Sequence, residues 1–203
     1  MPRQVDHDER RRHIVEALLR IAGTRGLDAV SLREVAQQAE VSMGAVQHYF
    51  ATKDEMLAYA LKHWLDLSIH AGFTARVAAR LSGRTGPRDV LSALAAEYLP
   101  YDDPSRFDAR VALAFLARAA VDEALAAALV PAFAGFVATL RAVLAGAGAA
   151  GSGAAGSGAA GSGEAQRLAS MLDGLRQVVL LGVLDRDEAL ALVEDHLNLI
   201  VGH

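Results

Sequence analysis

The 203-residue chain contains no cysteine and few aromatic residues, which make up 5% of it. The absence of cysteine excludes disulfides, thiolate metal sites and cysteine nucleophiles, and it is consistent with a reducing compartment. Because aromatic residues are few and no stretch alternates β-branched with polar residues, the composition favours a helical core of alanine and leucine over a β-sandwich or barrel. We therefore expect an all-α fold.

The sequence also lacks an uninterrupted run of about 18 uncharged apolar residues, the length that suggests a membrane-spanning helix. Its first twelve residues, MPRQVDHDERRR, lack the apolar stretch of a signal peptide. These two absences predict a cytoplasmic protein with no membrane partner.

The net charge of −4 gives no general attraction to nucleic acid, but the negative charge is unevenly distributed. Residues 1–62 hold nine Lys and Arg against nine Asp and Glu, so the remainder of the chain carries the whole excess. A local cationic rim is sufficient for DNA, because phosphates are contacted one at a time. The candidates for such a rim are Arg3, Arg10, Arg11, Arg12, Arg33 and Lys53.

Hydrophobic periodicity, capping residues and helix-breaking glycine or proline together predict nine helices. Their bounds are about 8–25, two short helices opened by Ser31 and Ser42, then 53–81, 88–99, 105–120, 122–146, 164–183 and 187–201. Between the last long helices AAGSG occurs three times in succession, and we expect residues 146–163 to be a flexible Gly/Ala/Ser linker.

The stretch SLREVAQQAEVSMGAVQHYF, residues 31–50, predicts a helix-turn-helix motif. Ser31, Ser42 and Thr52 open three helices within about 22 residues, which favours short helices that cross at steep angles. In such a motif the first helix needs a small residue at the crossing and the second an apolar residue that faces back, and Ala36 and Val46 meet these needs.

The second helix of the motif would then expose side chains that can reach base edges, and hydroxyls, cations and helix N-termini nearby can meet phosphates. Gln47 has an amide suited to adenine, although Gln47 and His48 are equally explained as solvated side chains. The predicted DNA-binding residues are Ser31, Arg33, Ser42, Met43, Gly44, Ala45, Gln47, His48, Tyr49 and Lys53.

Residues 9–65 resemble the N-terminal domain of the TetR family of bacterial transcription regulators. The resemblance lies in a first helix that ends in RG, then SLREVAQQAEVS, then GAVQHYF followed two residues later by KDEML. Two residues depart from the family pattern: Glu40 replaces the usual glycine, which predicts strain if that residue is left-handed, and Gln47 replaces the usual tyrosine, which implies a different base preference. ARVALAFLARAA and DEALALVEDHLNLI resemble the BetI-like branch.

The resemblance implies a DNA-binding domain at 8–68 and a ligand-binding and dimerisation domain at 69–203. Family members are two-fold dimers that bind double-stranded DNA at a palindromic operator. Binding of a small-molecule effector releases the dimer from the operator. Here the homodimer would form through residues 164–201, and no cofactor or enzymatic activity is implied. The apolar stripes of that region comprise Leu172, Leu175, Val179, Val183, Leu190, Val193, Leu197 and Ile200.

The effector itself is not identified by the sequence. Arg110 and Arg118 lie eight residues apart on one helix face and are candidates to meet an acidic effector, or to form surface ion pairs. Large aromatic residues are candidates to line its cavity, with an aromatic cage for a quaternary cation as one form, or to fill the core. They are Trp64, Tyr98, Phe107, Phe115 and Phe136.

Two alternatives accompany this hypothesis. His63, Asp66 and His70 have a spacing that can bind zinc, although a polar helix face explains them better and we predict no metal site. The chain can also be an all-helical small-molecule-binding protein or enzyme with a vestigial DNA-binding domain, but we find no catalytic nucleophile-base pair in the sequence.

Overall fold

The computed structural model describes residues 3–150 and 158–201, and the side chains of residues 7–67, 72–147 and 163–201. Within these ranges the chain is helical and contains no strand, so the predicted all-α class is confirmed. The α-helices are α1 Arg3–Arg25, α2 Leu32–Gln38, α3 Met43–Tyr49, α4 Lys53–Trp64, α5 Thr74–Leu81, α6 Pro87–Tyr98, α7 Asp103–Ala119, α8 Glu123–Ala150, α9 Gly158–Leu180 and α10 Arg186–Val201.

Ten α-helices are therefore described, one more than predicted. The predicted helix 53–81 is helical throughout, but Leu65–Phe73 form a π-helix that separates α4 from α5. A π-helix closes its hydrogen bonds over five residues, and hydrophobic periodicity gives no signal for it. In the predicted linker, α8 continues to Ala150 and α9 begins at Gly158, and residues 151–157 lie outside the described part of the chain.

The chain divides into two compact units, of which unit 1 comprises residues 1–70 and 107–129. In unit 1, α1 packs against α2 and α4, and α2 packs against α3. Burying a leucine or isoleucine side chain contributes about 1.5–3 kcal/mol, so the predicted apolar face of α1 anchors this unit. The largest residues of its core are Ile14, Leu18, Ile21, Phe50, Met56, Leu57, Leu61 and Phe115.

Unit 2 comprises residues 71–106 and 130–203, and in it α6 packs against α5, α9 and α10. The predicted interface stripes mostly belong to the core of this unit: Leu172, Leu175, Val179, Val193 and Leu197 are buried, while Leu190 and Ile200 pack against them. Only Val183 of that set is exposed. The expectation that these stripes face a second subunit is wrong for the five buried residues, because they pack within the core of unit 2.

One segment, Glu123–Ala147 in α8, is long and apolar enough to cross a membrane by length and composition, and 17% of its most apolar window is buried. The uncharged run within this segment is short because Glu123 and Arg141 bracket it. The prediction that the chain lacks an uninterrupted run of about 18 uncharged apolar residues therefore stands, although this helix meets a criterion that tolerates charges.

Candidate DNA-binding surface

Three side-chain caps set the directions of α2, α3 and α4. The hydroxyl oxygens of Ser31, Ser42 and Thr52 each accept a hydrogen bond of 3.1 Å from the backbone N–H three residues further on. These caps satisfy N–H groups that have no partner within the helix, as the sequence predicts. Glu34 does not complete a reciprocal capping box at Ser31, because its carboxylate pairs with Arg25 at 2.6 Å.

The turn between α2 and α3 depends on a left-handed residue. Glu40 has a φ of 55°, which confirms the strain predicted for a residue other than glycine at this position. The N–H of Glu40 donates to the carbonyl of Gln37, and the N–H of Val41 donates to that of Ala36 at 3.0 Å. These two bonds end α2 and allow α3 to begin after only a few residues.

Helix α3 has one buried face and one exposed face. Val46 is fully buried against unit 1, and Phe50 directly after the helix is buried as well. The side chains on the opposite face stand clear of the core, as a helix that enters a DNA groove requires. The exposed predicted residues of this face are Met43, Gly44, Gln47 and His48, whereas Ala45 and Tyr49 are half-buried.

Cations around α3 differ in how free they are to meet a phosphate. Arg33 on α2 is exposed. Lys53 at the start of α4 is half-buried, and its ammonium donates to the carbonyl of Leu27 at 3.2 Å. An ammonium has three donors, so Lys53 keeps two for a phosphate at the N-terminus of α4.

One predicted rim residue also has a packing role. The guanidinium carbon of Arg11 lies 4.0 Å from the ring centroid of Tyr59 and 5.1 Å from that of Phe50. Such cation–π contacts hold Arg11 against the protein, and its place in a phosphate-binding rim stays a prediction. Arg10 and Arg12 are exposed, and the side chain of Arg3 lies outside those that the structure describes.

A cluster of three rings, which the sequence pattern did not predict, lies beside α3 and is formed by His7, His48 and Tyr49. The Nδ1 atom of His7 lies 3.1 Å from the Tyr49 hydroxyl. The His7 ring centroid lies 5.9 Å from that of His48 and 5.6 Å from that of Tyr49. The available signal was the spacing of seven residues between His7 and the buried Ile14, which puts both on one face of a helix that begins at Arg3.

Three predicted effector residues, Trp64, Phe107 and Phe115, lie in unit 1 and pack against other residues there. Trp64 stacks on Phe115 with ring centroids 6.4 Å apart, and both are buried. The ring of Phe107 covers Gly23 so closely that a Cβ at that glycine would lie 2.4 Å from it. This arrangement is that of core filling, the alternative that the sequence analysis left open.

Arg110 and Arg118, the candidates for an acidic effector, are both exposed on α7. The guanidinium of Arg118 lies 3.3 Å from Asp122 and 3.9 Å from Asp54. Exposed ion pairs of this kind contribute about 0–1 kcal/mol. Arg118 thus has the surface ion pairs that were its alternative interpretation.

The remaining effector candidates, Tyr98 and Phe136, meet in unit 2. Their rings stack with centroids 4.9 Å apart, and Phe73 packs edge-on against both. The Tyr98 hydroxyl donates to Asp173 at 2.8 Å, and the guanidinium of Arg176 lies over the Tyr98 ring at 4.7 Å. Burial raises the pKa of Tyr98, so its phenol stays protonated and keeps donating to the carboxylate.

Among the described residues, no group of three or more His, Asp or Glu side chains is arranged to hold a metal ion. The zinc alternative involves His63, Asp66 and His70, and the side chain of His70 lies outside the described set.

Two family models match the chain. The model described as "BetI-type transcriptional repressor, C-terminal" matches residues 87–202, more than half of the sequence. The model described as "Bacterial regulatory proteins, tetR family" matches residues 14–60, which include α2 and α3. The two matches together overlap both parts of the resemblance inferred from the sequence.

Curated proteins similar in sequence to this chain are also transcriptional regulators. The regulator BetI of Burkholderia cenocepacia is 38% identical over 93 residues, which are 46% of this chain and 48% of BetI. The chain spans between 30% and 48% of the length of the curated relatives it matches.

Solved structures extend the similarity to the whole fold. A transcriptional regulator from Rhodococcus sp. Rha1 is 30% identical and has a TM-score of 0.78, with 94% of this chain and 95% of that chain covered. A candidate transcriptional regulator from Saccharomonospora viridis, solved in complex with choline, shares the fold at 23% identity and a TM-score of 0.78, with 97% of both chains covered. The chain therefore belongs to the TetR family of bacterial transcriptional regulators, in its BetI-type branch.

Proposed function

We propose that this protein is a cytoplasmic, ligand-responsive repressor that binds a palindromic DNA operator as a homodimer and is released by a small-molecule effector. The observation that carries the proposal is α3, which is capped by Ser42, anchored by the buried Val46 and exposed on its opposite face. Two such helices, about one turn of DNA apart, read a palindrome in successive major grooves.

The residues proposed to contact DNA on this surface differ in the chemistry they offer. The Gln47 amide can donate to and accept from adenine, while Met43 and Ala45 can contact thymine methyl groups. His48 and the backbone at Gly44 lie on the same helix. Ser31 and Ser42 accept backbone hydrogen bonds as caps, yet each hydroxyl keeps its own hydrogen for a phosphate. Arg33, Tyr49 and Lys53 complete the proposed backbone contacts.

For the homodimer we propose the outer faces of α9 and α10, within residues 164–201. The inner faces of these helices are committed to the core of unit 2, but large apolar side chains remain on the outside. Exposed apolar side chains of this size favour burial against a second subunit. They are Leu192 and Leu199 on α10, together with Leu181 and Val183 in the turn between α9 and α10, and Leu199 is 84% exposed.

For the effector we propose an organic cation that binds in unit 2 near Tyr98. Phe73, Tyr98 and Phe136 supply aromatic faces, and Asp173 supplies a carboxylate. The Arg176 guanidinium already occupies one face of Tyr98, as a cationic ligand would. The choline complex of the Saccharomonospora viridis protein supports the same ligand class. A thermal-shift titration with choline, run on wild type and Tyr98→Leu, tests it: stabilisation of wild type alone is expected.

DNA binding is tested by selecting duplexes from a randomised pool with the full chain and measuring affinities by fluorescence anisotropy. We expect a palindromic sequence to be enriched. Gln47→Ala should reduce discrimination at one base pair by about 1–3 kcal/mol. The matched control is Gln37→Ala, an exposed glutamine on α2, which should leave discrimination unchanged.

The rival function is that of a small-molecule-binding protein or enzyme with a vestigial DNA-binding domain. It predicts the opposite result when duplexes are selected from the randomised pool. No duplex would be enriched, and Gln47→Ala would change nothing. The proposed repressor would then be rejected in favour of the rival.

A further inference from the structure

Three arginine side chains of unit 2 gather around Glu97 and Tyr101. Arg76 and Arg80 lie one turn apart on α5, and the Nε of each donates to the carboxylate of Glu97 on α6, from Arg76 at 2.8 Å. The Tyr101 hydroxyl donates to the same carboxylate at 3.4 Å. The guanidinium carbons of Arg80 and Arg186 lie 5.0 Å and 5.3 Å from the centroid of the Tyr101 ring. Residues of α5, α6 and the start of α10 therefore bring three positive charges together.

The negative charge that pairs with these arginines is smaller than their own charge. Among the residues that the structure describes, Glu97 is the only carboxylate that pairs with Arg76 or Arg80, and none pairs with Arg186. Like charges that share a small region repel one another unless a counter-charge lies between them. One carboxylate for three guanidinium ions leaves this cluster able to take up a further anion.

Other carboxylates near the cluster are engaged elsewhere. Asp102, which lies close enough to Arg76 to feel its charge, accepts a hydrogen bond from the backbone N–H of Ser105. Asp185 and Glu188 flank Arg186 in the sequence, and each accepts from the backbone N–H of the other at 2.8 Å. These hydrogen bonds hold the carboxylates at the starts of α7 and α10.

The three guanidinium ions also keep hydrogen-bond donors to spare. A guanidinium has five N–H donors, of which Arg76 and Arg80 each use the one on Nε for Glu97. Both arginine side chains are more than one third exposed, so their terminal amino groups are left for an acceptor from solution. Arg186 donates to the carbonyl of Ala96 at 2.9 Å, but its Nε is buried without a hydrogen-bond partner. A buried donor without a partner is unfavourable, so Arg186 gains from an added acceptor.

The chemistry of the cluster selects a phosphate group over a single carboxylate. The planar guanidinium fork matches two oxygens of either group. A phosphate on a small organic molecule carries close to two negative charges near neutral pH and has three acceptor oxygens, whereas a carboxylate has one charge and two oxygens. Glu97, whose side chain is 2% exposed, holds Arg76 and Arg80 in place before any ligand arrives, and this lowers the entropic cost of binding.

We propose that Arg76, Arg80 and Arg186 form a binding site for a phosphate group, carried by inorganic phosphate or by a small phosphate monoester. Glu97 positions two of these arginines and does not itself touch the ligand. The site goes beyond the proposed function, because it takes a second ligand whose charge is opposite to that of the effector proposed at Tyr98. Glu97 and Tyr98 are neighbours on α6, but Glu97 meets α5 whereas Tyr98 donates to α9.

The experiment measures binding of radiolabelled inorganic phosphate to the full chain by equilibrium dialysis, near neutral pH and at an ionic strength fixed with chloride. Arg186→Gln removes one guanidinium and leaves both ion pairs of Glu97 intact, so the fold is not at risk from that variant. Arg76→Lys keeps the positive charge but loses the planar fork. Arg141→Gln, which removes an exposed arginine from α8, is the matched control. Circular dichroism checks that each variant is folded.

For wild type we expect saturable binding of one phosphate per chain. Arg186→Gln should weaken it about tenfold, the size of one lost charge-assisted contact. Arg76→Lys should weaken it several-fold, because an ammonium replaces bidentate contact with a single point of charge. Arg141→Gln should bind as wild type does. Unlabelled glycerol 3-phosphate, added as a competitor, distinguishes the two sources: displacement of the label shows that the site accepts a monoester, and no displacement assigns the site to free phosphate.

The proposal is overturned if wild type shows no saturable binding at millimolar phosphate, if Arg186→Gln and Arg76→Lys bind as wild type does, or if Arg141→Gln loses as much affinity as they do. It is also overturned if Lys53→Ala abolishes binding, because the phosphate then occupies the candidate DNA-binding surface. No DNA is present in these measurements, so their failure leaves the proposed repressor untouched, and failure to enrich an operator leaves the phosphate site untouched.

Discussion

The imidazole Nε2 of His13 lies 2.8 Å from the backbone carbonyl oxygen of Ala39 and donates a hydrogen bond to it. Ala39 is the residue at which α2 ends, so its carbonyl has no partner further along that helix. His13 belongs to α1, 26 residues earlier in the sequence. The contact therefore attaches the turn before α3 to α1, the helix that anchors unit 1. This turn sets the direction of α3.

Replacing His13 by alanine should lower the free energy of unfolding by about 1 kcal/mol, the usual net contribution of one hydrogen bond. Urea denaturation followed by circular dichroism measures this. His13→Gln has an amide that can donate to the same carbonyl, so it should recover part of the loss. Equal stability of wild type and His13→Ala would show that the contact contributes nothing.

Glu40→Gly should raise the free energy of unfolding by about 1 kcal/mol, because a left-handed residue with a Cβ costs about 1–2 kcal/mol and glycine avoids this at some entropic cost. The melting temperature should rise by about 2–4 °C for a chain of this size. Gln38→Gly, within the last turn of α2, is the matched control and should lower stability instead. A lower melting temperature for Glu40→Gly would contradict the strain inferred from its φ.

Local signals in the sequence were sufficient for the motif that carries the candidate site. A hydroxyl followed three residues later by the N–H that it caps is a short-range pattern, and Ser31, Ser42 and Thr52 form the predicted caps. The strain at Glu40 and the exposed side of α3 also followed from residue type and helical period. These features depend on neighbours within a few positions.

Features that depend on distant residues could not be predicted in the same way. Periodicity showed that one face of α9 and α10 is buried, but Leu172 and Val193 pack within the chain and not against a second copy. The cluster at His7 required α1 to begin earlier than its apolar pattern indicates. Likewise, the charge of Arg11 suggested a contact with a DNA phosphate. Its cation–π contact with Tyr59 could not be predicted, because the two residues are 48 positions apart in the sequence.

Lys53→Ala should reduce the slope of the logarithm of DNA affinity against the logarithm of salt concentration by about one unit, as expected for one lost phosphate contact. The loss should be similar for specific and unrelated duplexes, because a phosphate carries no base information. Lys62→Ala removes an exposed lysine from the same helix and should leave the slope unchanged. Anisotropy titrations at several salt concentrations measure it, and equal slopes for wild type and Lys53→Ala would exclude the contact.

Glu97→Gln should destabilise unit 2 by about 2 kcal/mol. The Glu97 side chain is 2% exposed and accepts from Arg76 at 2.8 Å, from Arg80 and from the Tyr101 hydroxyl at 3.4 Å. A neutral amide would leave the two guanidinium ions facing it without a counter-charge. Both arginines are more than one third exposed, so solvent screens part of that penalty and the figure lies below that for a fully buried pair.

The matched control for Glu97→Gln is Glu194→Gln, which breaks the ion pair with Arg88 at 2.8 Å. Both partners of that pair are about one third exposed, so its loss should cost at most about 1 kcal/mol. Denaturant titrations of the two variants give the comparison. Equal losses would show that burial of Glu97 adds nothing to its ion pairs.

Ionisation of Asp102 makes the stability of the N-terminus of α7 depend on pH. Hydrogen bonds from Ser105, first from its side chain and then from its backbone N–H at 2.8 Å, lower the pKa of Asp102 below its ordinary value of 3.8. A carboxyl group whose pKa is lower in the folded state contributes stability above its unfolded-state pKa, and that contribution is lost as the pH falls through the folded-state pKa. The effect is therefore confined to acidic pH and is constant near neutrality.

Ser105→Ala should raise the pKa of Asp102 toward 3.8, because the largest contribution to its lowering, the side-chain hydrogen bond, is removed. Carbon NMR of the Asp102 carboxyl group during an acid titration measures this directly. Ser105→Thr keeps the hydroxyl and the backbone N–H and should retain the lowered pKa. The serine hydroxyl also accepts from the N–H groups of Tyr101 and Asp102, but these bonds involve no ionisable group and shift stability equally at every pH. Identical titrations of wild type and Ser105→Ala would mean that the hydroxyl does not stabilise the carboxylate.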